Sequence, residues 1–400
     1  MAEKSDYEWL ISNDAEIHFE RVLQSNKPIN ALEALRKAVG IERAELIFQL
    51  LDLRHRAKSK FSKAERMFFT AKSLEQATDE RIANLKADRF KMQGRVADLC
   101  CGIGGDTLSI ATVAEQVESV DLDSVTALLC EANCVAHGLS NVCMRTSDVS
   151  EFDIAKYDAW HIDPDRRETG ARTVRPENFA PDLPTILSLI QQNQNAAVKM
   201  APATETNSDW MKCAELHWYG HSRSCQQLVA YFGDLAKYPG KRVATILGDR
   251  EHRTVIDQAE SELAIAASVQ NFIYEPHAAI LASGCTRQIA AQHNLMAIIP
   301  GGGYLTSDDL TFDPAISSFK VLESMPFHEK RVRQALKKMD VGTVEVKKRA
   351  VDIDPFSLQA KWKGKGSNRL TVFILRRNQA VSAIIAQRLS DNATARLAIQ

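Results

Sequence analysis

Val96-Ala-Asp-Leu-Cys-Cys-Gly-Ile-Gly-Gly-Asp106, continued by Thr107-Leu-Ser-Ile-Ala111, is the stretch whose reading decides the fold. An apolar run ends in Asp98, glycines stand at 102, 104 and 105, and the residues after Asp106 have helical character. The pattern is a strand turning sharply into a helix over a loop of glycines. Glycine lets the backbone take positive φ and lets a ligand come where a Cβ would collide, and the amides of the following helix then face that ligand. The spacing is not the G-x-G-x-x-G of dinucleotide folds, and no Gly-Lys-Ser/Thr marks a phosphate loop. An acidic residue before the glycines suits a ligand with a positive amino or sulfonium group better than a pyrophosphate.

Acidic residues recur where further strands should end. Val117-Glu-Ser-Val-Asp121 reads as a second strand, and the Asp121 carboxylate can accept from both hydroxyls of a ribose. Val142-Cys-Met-Arg-Thr-Ser-Asp148 reads as a third, with Asp148 placed to meet an adenine amine. Ala159-Trp-His-Ile-Asp163-Pro-Asp-Arg-Arg167 reads as a fourth. One glycine-rich turn after a strand is weak evidence, but four carboxylates at successive strand ends make coincidence a poor account.

The order Asp-Leu-Cys-Cys-Gly-Ile-Gly-Gly-Asp, Val-Asp-Leu-Asp, Ser-Asp, Ile-Asp-Pro-Asp resembles the class I S-adenosylmethionine-dependent methyltransferases. It looks most like their bacterial and archaeal branch with a C-terminal THUMP-like domain, a relative of the trimethylguanosine synthase group. The resemblance runs from about Met67 onward. It implies that Asp98, Gly102 and Gly104 cradle the methionine part of the cofactor, with Cys100 and Asp106 in the same loop. It also implies that Asp121 takes the ribose and Asp148 the adenine. Cys100 stands where many members carry glycine, and a small thiol should still fit. A segment like Met67 to Thr78 closes over the cofactor in related enzymes, so Phe69 and Thr78 are expected against it. Helix packing for Phe69 and helix capping for Thr78 are the alternatives.

In many relatives the end of the fourth strand is the catalytic corner, and base-amine methyltransferases place there Asn or Asp, two prolines and an aromatic. Here Asp165 replaces the second proline, and Arg166 and Arg167 stand where an aromatic would stack on a base. Pro164 stiffens the turn so that a carboxylate and a carbonyl can point at a methyl acceptor. Asp163 is the candidate base if that acceptor is protonated. The two arginines suit a phosphate or a carboxylate, unless they pair with Asp165 or Glu168 to hold the loop.

Four hundred residues, 45% hydrophobic, allow two or three domains with a sizeable core. A net charge of −1 gives no whole-protein argument for nucleic acid. The start of the chain is polar, and no apolar run nears membrane-spanning length. The eight cysteines include no C-x-x-C pair, so zinc and other metals have little support, and a reduced, cytoplasmic setting is expected. Cys130 and Cys134 lie one helical turn apart, as core cysteines often do.

Along the chain, residues 1–92 read as a helical region, with helices over Ala31 to Val39 and Ala44 to Leu53 parted by Gly40. The basic run Arg54 to Lys63 reads as a solvated helix end that could also touch phosphate. Residues 93–249 read as a Rossmann-like α/β domain with a mostly parallel sheet covered on both faces. Helices are expected over Val125 to His137 and Leu183 to Gln191. A fifth strand is expected over Ala196 to Ala201, and final, partly antiparallel strands over Cys225 to Phe232 and Arg242 to Leu247. Residues 250–318 read as a linking segment. Residues 319–400 read as a small basic α+β module that matches the THUMP-like resemblance. Between Lys320 and Arg377 stand fifteen Lys/Arg against six Asp/Glu, an excess of nine, enough for a basic face.

The resemblance and this charge together imply a methyltransferase that uses S-adenosylmethionine and acts on structured RNA, tRNA above all, with no membrane partner. THUMP domains are associated with RNA, and the absence of an aromatic-rich sheet speaks for shape or end recognition over stacking on single strands. Two alternatives stay open: a methyltransferase for a small or protein anion read by the arginines, and a cofactor-holding fold that has lost catalysis.

Overall fold

The computed structural model describes residues 2–24, 28–166, 174–248, 251–258, 260, 262–377 and 379–389. The chain divides into two compact units. One comprises Met1–Leu216 with Leu228–Gly240, the other His217–Gln227 with Lys241–Gln400.

The first unit opens with helices α1 (Lys4–Leu10), α2 (Asn13–Leu23), α3 (Pro28–Val39) and α4 (Ile41–Ala57). Gly40, at φ +90°, makes the sharp entry into α4 at a conformation that favours glycine. Leu46, Ile47, Leu50 and Leu53 of α4 recur at helical spacing and are buried. They share one core with Phe61, Met67 and Phe69, and with Ile103, Leu129 and Cys130 from the parts that follow. The helical region and the α/β sheet therefore have a common core. Two cations of the basic run Arg54–Lys63 are spent inside the unit, while His55, Arg56, Lys58 and Lys63 are exposed. Arg54 donates to the Met67 carbonyl (2.8 Å) and lies over the rings of Phe19 and Phe68, and burial lowers its pKa to about 10. Lys60 donates to the carbonyls of Leu74 (2.7 Å) and Ala77 (3.1 Å), closing the end of α5 (Ala71–Gln76). Helix α6 (Glu80–Ala87) follows.

Alternation of strand and helix then builds the sheet: β1 (Arg95–Leu99), α7 (Thr107–Ile110), β2 (Gln116–Asp121), α8 (Ser124–Ala136), β3 (Val142–Thr146), β4 (Ala159–Ile162), α9 (Leu183–Gln192) and β5 (Ala196–Met200). Helices α8 and α9 start where a carboxylate caps them: Asp123 accepts from the Thr126 amide (2.7 Å) and Asp182 from the Thr185 amide (3.1 Å). The strand order is β3-β2-β1-β4-β5, all parallel. β1, β4 and β5 are buried nearly throughout, as strands covered on both faces must be. The strand order reverses at β1, so the carboxyl ends of β1 and β4 open the crevice where ligands of such sheets bind. β6 (Glu215–His221) and β7 (Ser224–Tyr231) carry the chain through both units, and β7 runs antiparallel to β5.

The second unit holds the hairpin of β8 (Arg242–Leu247) and β9 (His252–Ile256). It continues with β10 (Phe272–Pro276), α10 (Ala278–Ser283), α11 (Thr286–His293), β11 (Met296–Ala297), β12 (Leu305–Ser307) and β13 (Ile316–Pro326). The last elements are α12 (Glu329–Lys338), β14 (Val341–Arg349), α13 (Pro355–Trp362), β15 (Asn368–Arg377) and β16 (Ala380–Arg388). They form a seven-stranded sheet in the order β11-β12-β10-β13-β16-β15-β14, in which only β14 and β15 run parallel. Residues 250–318, read above as linking, thus supply three strands to the same sheet as the basic module. Alternation along β15 sorts the two faces. Leu370, Val372 and Ile374 pack with α12 and α13 residues such as Leu336 and Trp362, while Phe373 and Leu375 pack with Tyr304 and Phe319.

Candidate active site

The glycine loop after β1 needs positive φ at Cys100 (+54°), Gly102 (+58°) and Gly104 (+87°). For Cys100, a residue with a Cβ, that conformation costs about 1 kcal/mol, which gives a physical reason for glycine at this position in the family it resembles. The two glycines do different work. A Cβ on Gly102 would meet nothing within 4 Å, and Gly102 is the only half-exposed residue of the 101–106 stretch, so its open side faces free space. A Cβ on Gly104 would lie 3.0 Å from the Cys130 sulfur, so this glycine serves packing on α8. Gly105 is covered: its Cβ would lie 3.1 Å from the Thr78 amide nitrogen. The Met67–Thr78 segment therefore rests on the glycine loop, pinned there by Asn133 of α8. The Asn133 side chain accepts from the Phe68 amide (2.7 Å) and donates to the carbonyls of Phe68 (3.2 Å) and Ile103 (2.9 Å).

Carboxylates gather around this loop, and Asp121, Asp148 and Asp163 reach the surface there. Burial raises the Cys100 thiol pKa well above its usual value, and Asp121, Asp163, Asp98 and Asp148 each push it further. Asp121 accepts from the amides of Gly102 (2.9 Å) and Asp123 (3.0 Å), and burial followed by the nearby acids raises its pKa. Asp148 is exposed at the end of β3 and accepts from the Ser150 amide (2.8 Å). Such a rim of negative charge over free space suits a ligand bearing ammonium and sulfonium groups.

Asp98 is placed differently. It is fully buried, and its carboxylate accepts from Thr107 Oγ1 (2.5 Å) and His161 Nδ1 (2.8 Å). It begins a chain of polar groups running through the interior. His161 Nε2 accepts from Lys86 Nζ (3.2 Å), so the Nδ1 nitrogen carries the ring proton. Lys86 Nζ also pairs with Asp106 (2.6 Å), which accepts from Thr78 Oγ1 (2.7 Å). Thr78 Oγ1 in turn accepts from Lys199 Nζ (2.9 Å), and Lys199 ends in an ion pair with Asp163 at the mouth of the crevice. Burial lowers the Lys86 pKa against the pull of Asp106. Burial alone would raise Asp106, yet Lys86, His161 and Lys199 hold it far below the usual carboxylate range. Asp106 and Thr78 are thus bound into this interior chain, and Thr78 caps no helix.

The remaining expected residues fall as follows. Phe69 is buried in the helical core, 5.9 Å from the Phe61 ring, which is the packing alternative. Asp163 is half-buried beside Lys199. Asp165 accepts from Lys72 Nζ (3.1 Å) and Gln76 Nε2 (3.0 Å) of α5, so it tethers the covering segment to the fourth-strand loop. Arg166 is half-buried in that loop, and Arg167 lies outside the described residues. Lys86, Asn133, His161 and Lys199 are the site residues that the sequence reading did not single out. The signal for two of them was present, a histidine and a lysine inside the apolar strands Ala-Trp-His-Ile and Ala-Ala-Val-Lys-Met.

A family model described as RNA cap guanine-N2 methyltransferase matches residues 93–198, and one described as THUMP domain-like matches residues 316–388. The chain is an S-adenosylmethionine-dependent methyltransferase with a THUMP-like domain. This methyltransferase is 28% identical over 357 residues to an uncharacterised S-adenosylmethionine-dependent methyltransferase of Mycobacterium tuberculosis, known from strains H37Rv and CDC 1551 / Oshkosh. The match covers 84% of this chain and 93% of the relative. Its fold is that of the crystal structure of a putative methyltransferase from Porphyromonas gingivalis W83. That likeness has a TM-score of 0.76 at 18% identity and covers 98% of this chain and 100% of the other. Among the described residues, no helix is long and apolar enough to cross a membrane, and no group of three or more His, Cys, Asp or Glu side chains is disposed to hold a metal.

Proposed function

We propose that the methyltransferase acts on RNA, with tRNA as the first acceptor to test. The observation that carries this reading is the excess of nine positive charges between Lys320 and Arg377, concentrated in a chain whose net charge is only −1. The descriptions of the two matching family models, RNA cap guanine-N2 methyltransferase and THUMP domain-like, support the same reading.

In this reading the cofactor lies over Gly102, with its ammonium and sulfonium groups inside the ring of carboxylates and its ribose on Asp121. Asp148 faces the adenine, and Cys100 borders the methionine part. Asp98 and Asp106 act from below, fixing the loop through Thr107, Lys86 and Thr78. S-adenosylmethionine supplies an electrophilic methyl on sulfur, so alignment of the acceptor is the main demand on the protein. Asp163, held by Lys199 at the carboxyl end of β4, takes the proton if the acceptor loses one. Asp165 holds the covering segment, and Arg166 with Arg167 holds the acceptor's phosphate.

Transfer of a radiolabelled methyl group to total RNA, DNA and protein tests this. Label is expected in RNA, chiefly in the tRNA-sized fraction. Label in protein alone would move the conclusion to an anionic protein acceptor read by the arginines of the fourth-strand loop.

A further inference from the structure

The basic residues of the second unit are not equivalent. Of the fifteen between Lys320 and Arg377, six are committed within the unit. Lys347 pairs with Glu275 (2.8 Å) and Glu345 (3.1 Å), and Lys361 with Glu329 (3.3 Å). Lys348 donates to the Ile353 carbonyl (2.6 Å), Arg376 to that of Ala350 (3.0 Å) and Arg377 to that of Ala267 (2.5 Å). Arg349 lies 5.9 Å from the centre of the Tyr304 ring and packs on Gly303. Apart from Lys320 on β13, the cations that remain fall in two places. Lys330, Arg331, Arg333, Lys337 and Lys338 lie on the exposed side of α12, while Lys363, Lys365 and Arg369 lie in and just after the loop following α13.

These two places are one surface. Asn368 donates to the Met339 carbonyl (2.8 Å), and the Gly364 and Gly366 amides donate to the carbonyls of Gly342 (3.0 Å) and Val341 (3.0 Å), so the loop lies on the turn that ends α12. The contact is too close for side chains. A Cβ would lie 2.1 Å from the Gly366 oxygen if placed on Gly342, 2.0 Å from that of Val341 on Gly364, and 2.0 Å from that of Asp340 on Gly366. Three glycines thus let the backbones touch and bring the loop that carries Lys363 and Lys365 to the end of α12 that carries Lys337 and Lys338. Asp340, the acid at this junction, is committed to the Ser367 amide (3.1 Å) and hydroxyl (2.9 Å). The other acid, Glu329, sits at the far end of α12 with Lys361.

We infer that this face, α12 with the 363–369 loop, docks the phosphate backbone of double-helical RNA. The inference rests on the reading of RNA as acceptor and names the surface and the form of RNA. Lys330, Arg333 and Lys337 recur at helical spacing and form a stripe about 10 Å long at 1.5 Å rise per residue. Neither α12 nor the loop carries an aromatic side chain, and Phe356 on α13 is the lone large exposed aromatic among the described residues of the module. A track for single strands needs successive stacking rings, whereas a rigid row of cations matches the phosphates of a duplex read by shape.

The test uses the full chain and measures binding of a 20-base-pair RNA duplex, the same RNA as a single strand, and polyglutamate across a salt series. Lys337→Gln/Lys365→Gln should lower the slope of log affinity against log salt for the duplex by about 2 and weaken binding at least tenfold. Lys37→Gln/Lys237→Gln, which removes the same charge from exposed positions of the first unit, should leave both unchanged. If the wild type binds the duplex and the patch variant binds it equally well, the surface is wrong while the RNA reading stands. Preferential loss of single-strand binding overturns the duplex, and equal affinity for polyglutamate overturns RNA as the occupant. A wild type that neither binds nor methylates any RNA overturns the acceptor reading itself.

Discussion

Lys86 Nζ lies 2.6 Å from Asp106 Oδ1, and both side chains are at most 5% exposed. A charge pair this deep is held in place by its mutual attraction, because either partner alone would be an uncompensated charge away from water. Lys86→Met should therefore destabilise the first unit by about 3–5 kcal/mol. Lys86→Met/Asp106→Leu should cost much less than the sum of the single changes. Chemical denaturation of the four proteins measures the coupling, and additive losses would show that the pair is not the unit of stability.

The same pair sets the acid limb of stability. The folded state holds the Asp106 pKa below its usual value near 3.8, so the unfolded chain binds the proton more tightly. Its contribution is present above that usual value and disappears as the pH falls toward the depressed folded pKa. Denaturation midpoints from pH 6 to pH 2 should fall steeply in wild type. Asp106→Asn should start lower at pH 6 and fall less between pH 4 and pH 2, and parallel curves would exclude this source.

The two glycines that differ in their surroundings should differ in their variants. Gly104→Ala places a Cβ 3.0 Å from the Cys130 sulfur at φ +87°, so it should lower the melting temperature by several degrees. Gly102→Val adds bulk into free space, so it should weaken S-adenosylhomocysteine binding at least tenfold, at a stability cost of about 1–2 kcal/mol from its φ alone. Asp121→Ala should weaken binding comparably by removing an acceptor for the ribose. Calorimetry beside thermal melts separates the cases, and wild-type affinity in both Gly102→Val and Asp121→Ala would move the cofactor elsewhere.

How much of this was legible in the sequence follows from the range of the signals. Asp98, Asp121, Asp148 and Asp163 could be read because each comes at or near the end of a short strand-like run, and strand ends are a local property. The interior chain could not. Lys86 lies on an amphipathic helix where nothing local tells an inward lysine from an outward one, and its partner Asp106 is 20 positions away. His161 and Lys199 interrupt apolar strands, which says that they are buried but not which groups meet them. Thr78 was singled out for a cofactor contact or a cap, and its hydroxyl instead links Asp106 to Lys199, from segments that only the folded sheet brings together. The 250–318 stretch looked like a connection because β11 and β12 are two and three residues long, too short to leave an alternating pattern. Their membership of the sheet is set by pairing with β10 and by the Tyr304–Phe319–Phe373 core.

The last prediction concerns Lys199 and Asp163. In the mechanism proposed above Asp163 faces the acceptor, and Lys199 is the cation that fixes its carboxylate while also holding Thr78 and, through it, the segment that covers the glycine loop. Asp163→Asn keeps the shape and removes the base, so kcat should fall about 10²–10⁴-fold with cofactor affinity nearly unchanged. Lys199→Met leaves the base in place but unheld. Its kcat should fall less, about 10-fold to 100-fold, because a carboxylate free to rotate is out of line for most of the time. Lys199→Arg restores a donor and should recover part of that loss, which a purely packing role for Lys199 would not allow. The KM for RNA should stay near wild type in all three, since none of these groups is placed to bind the acceptor's phosphates. If Asp163→Asn turned over at the wild-type rate, the proton would leave by another route and the Lys199 ion pair would be structural alone.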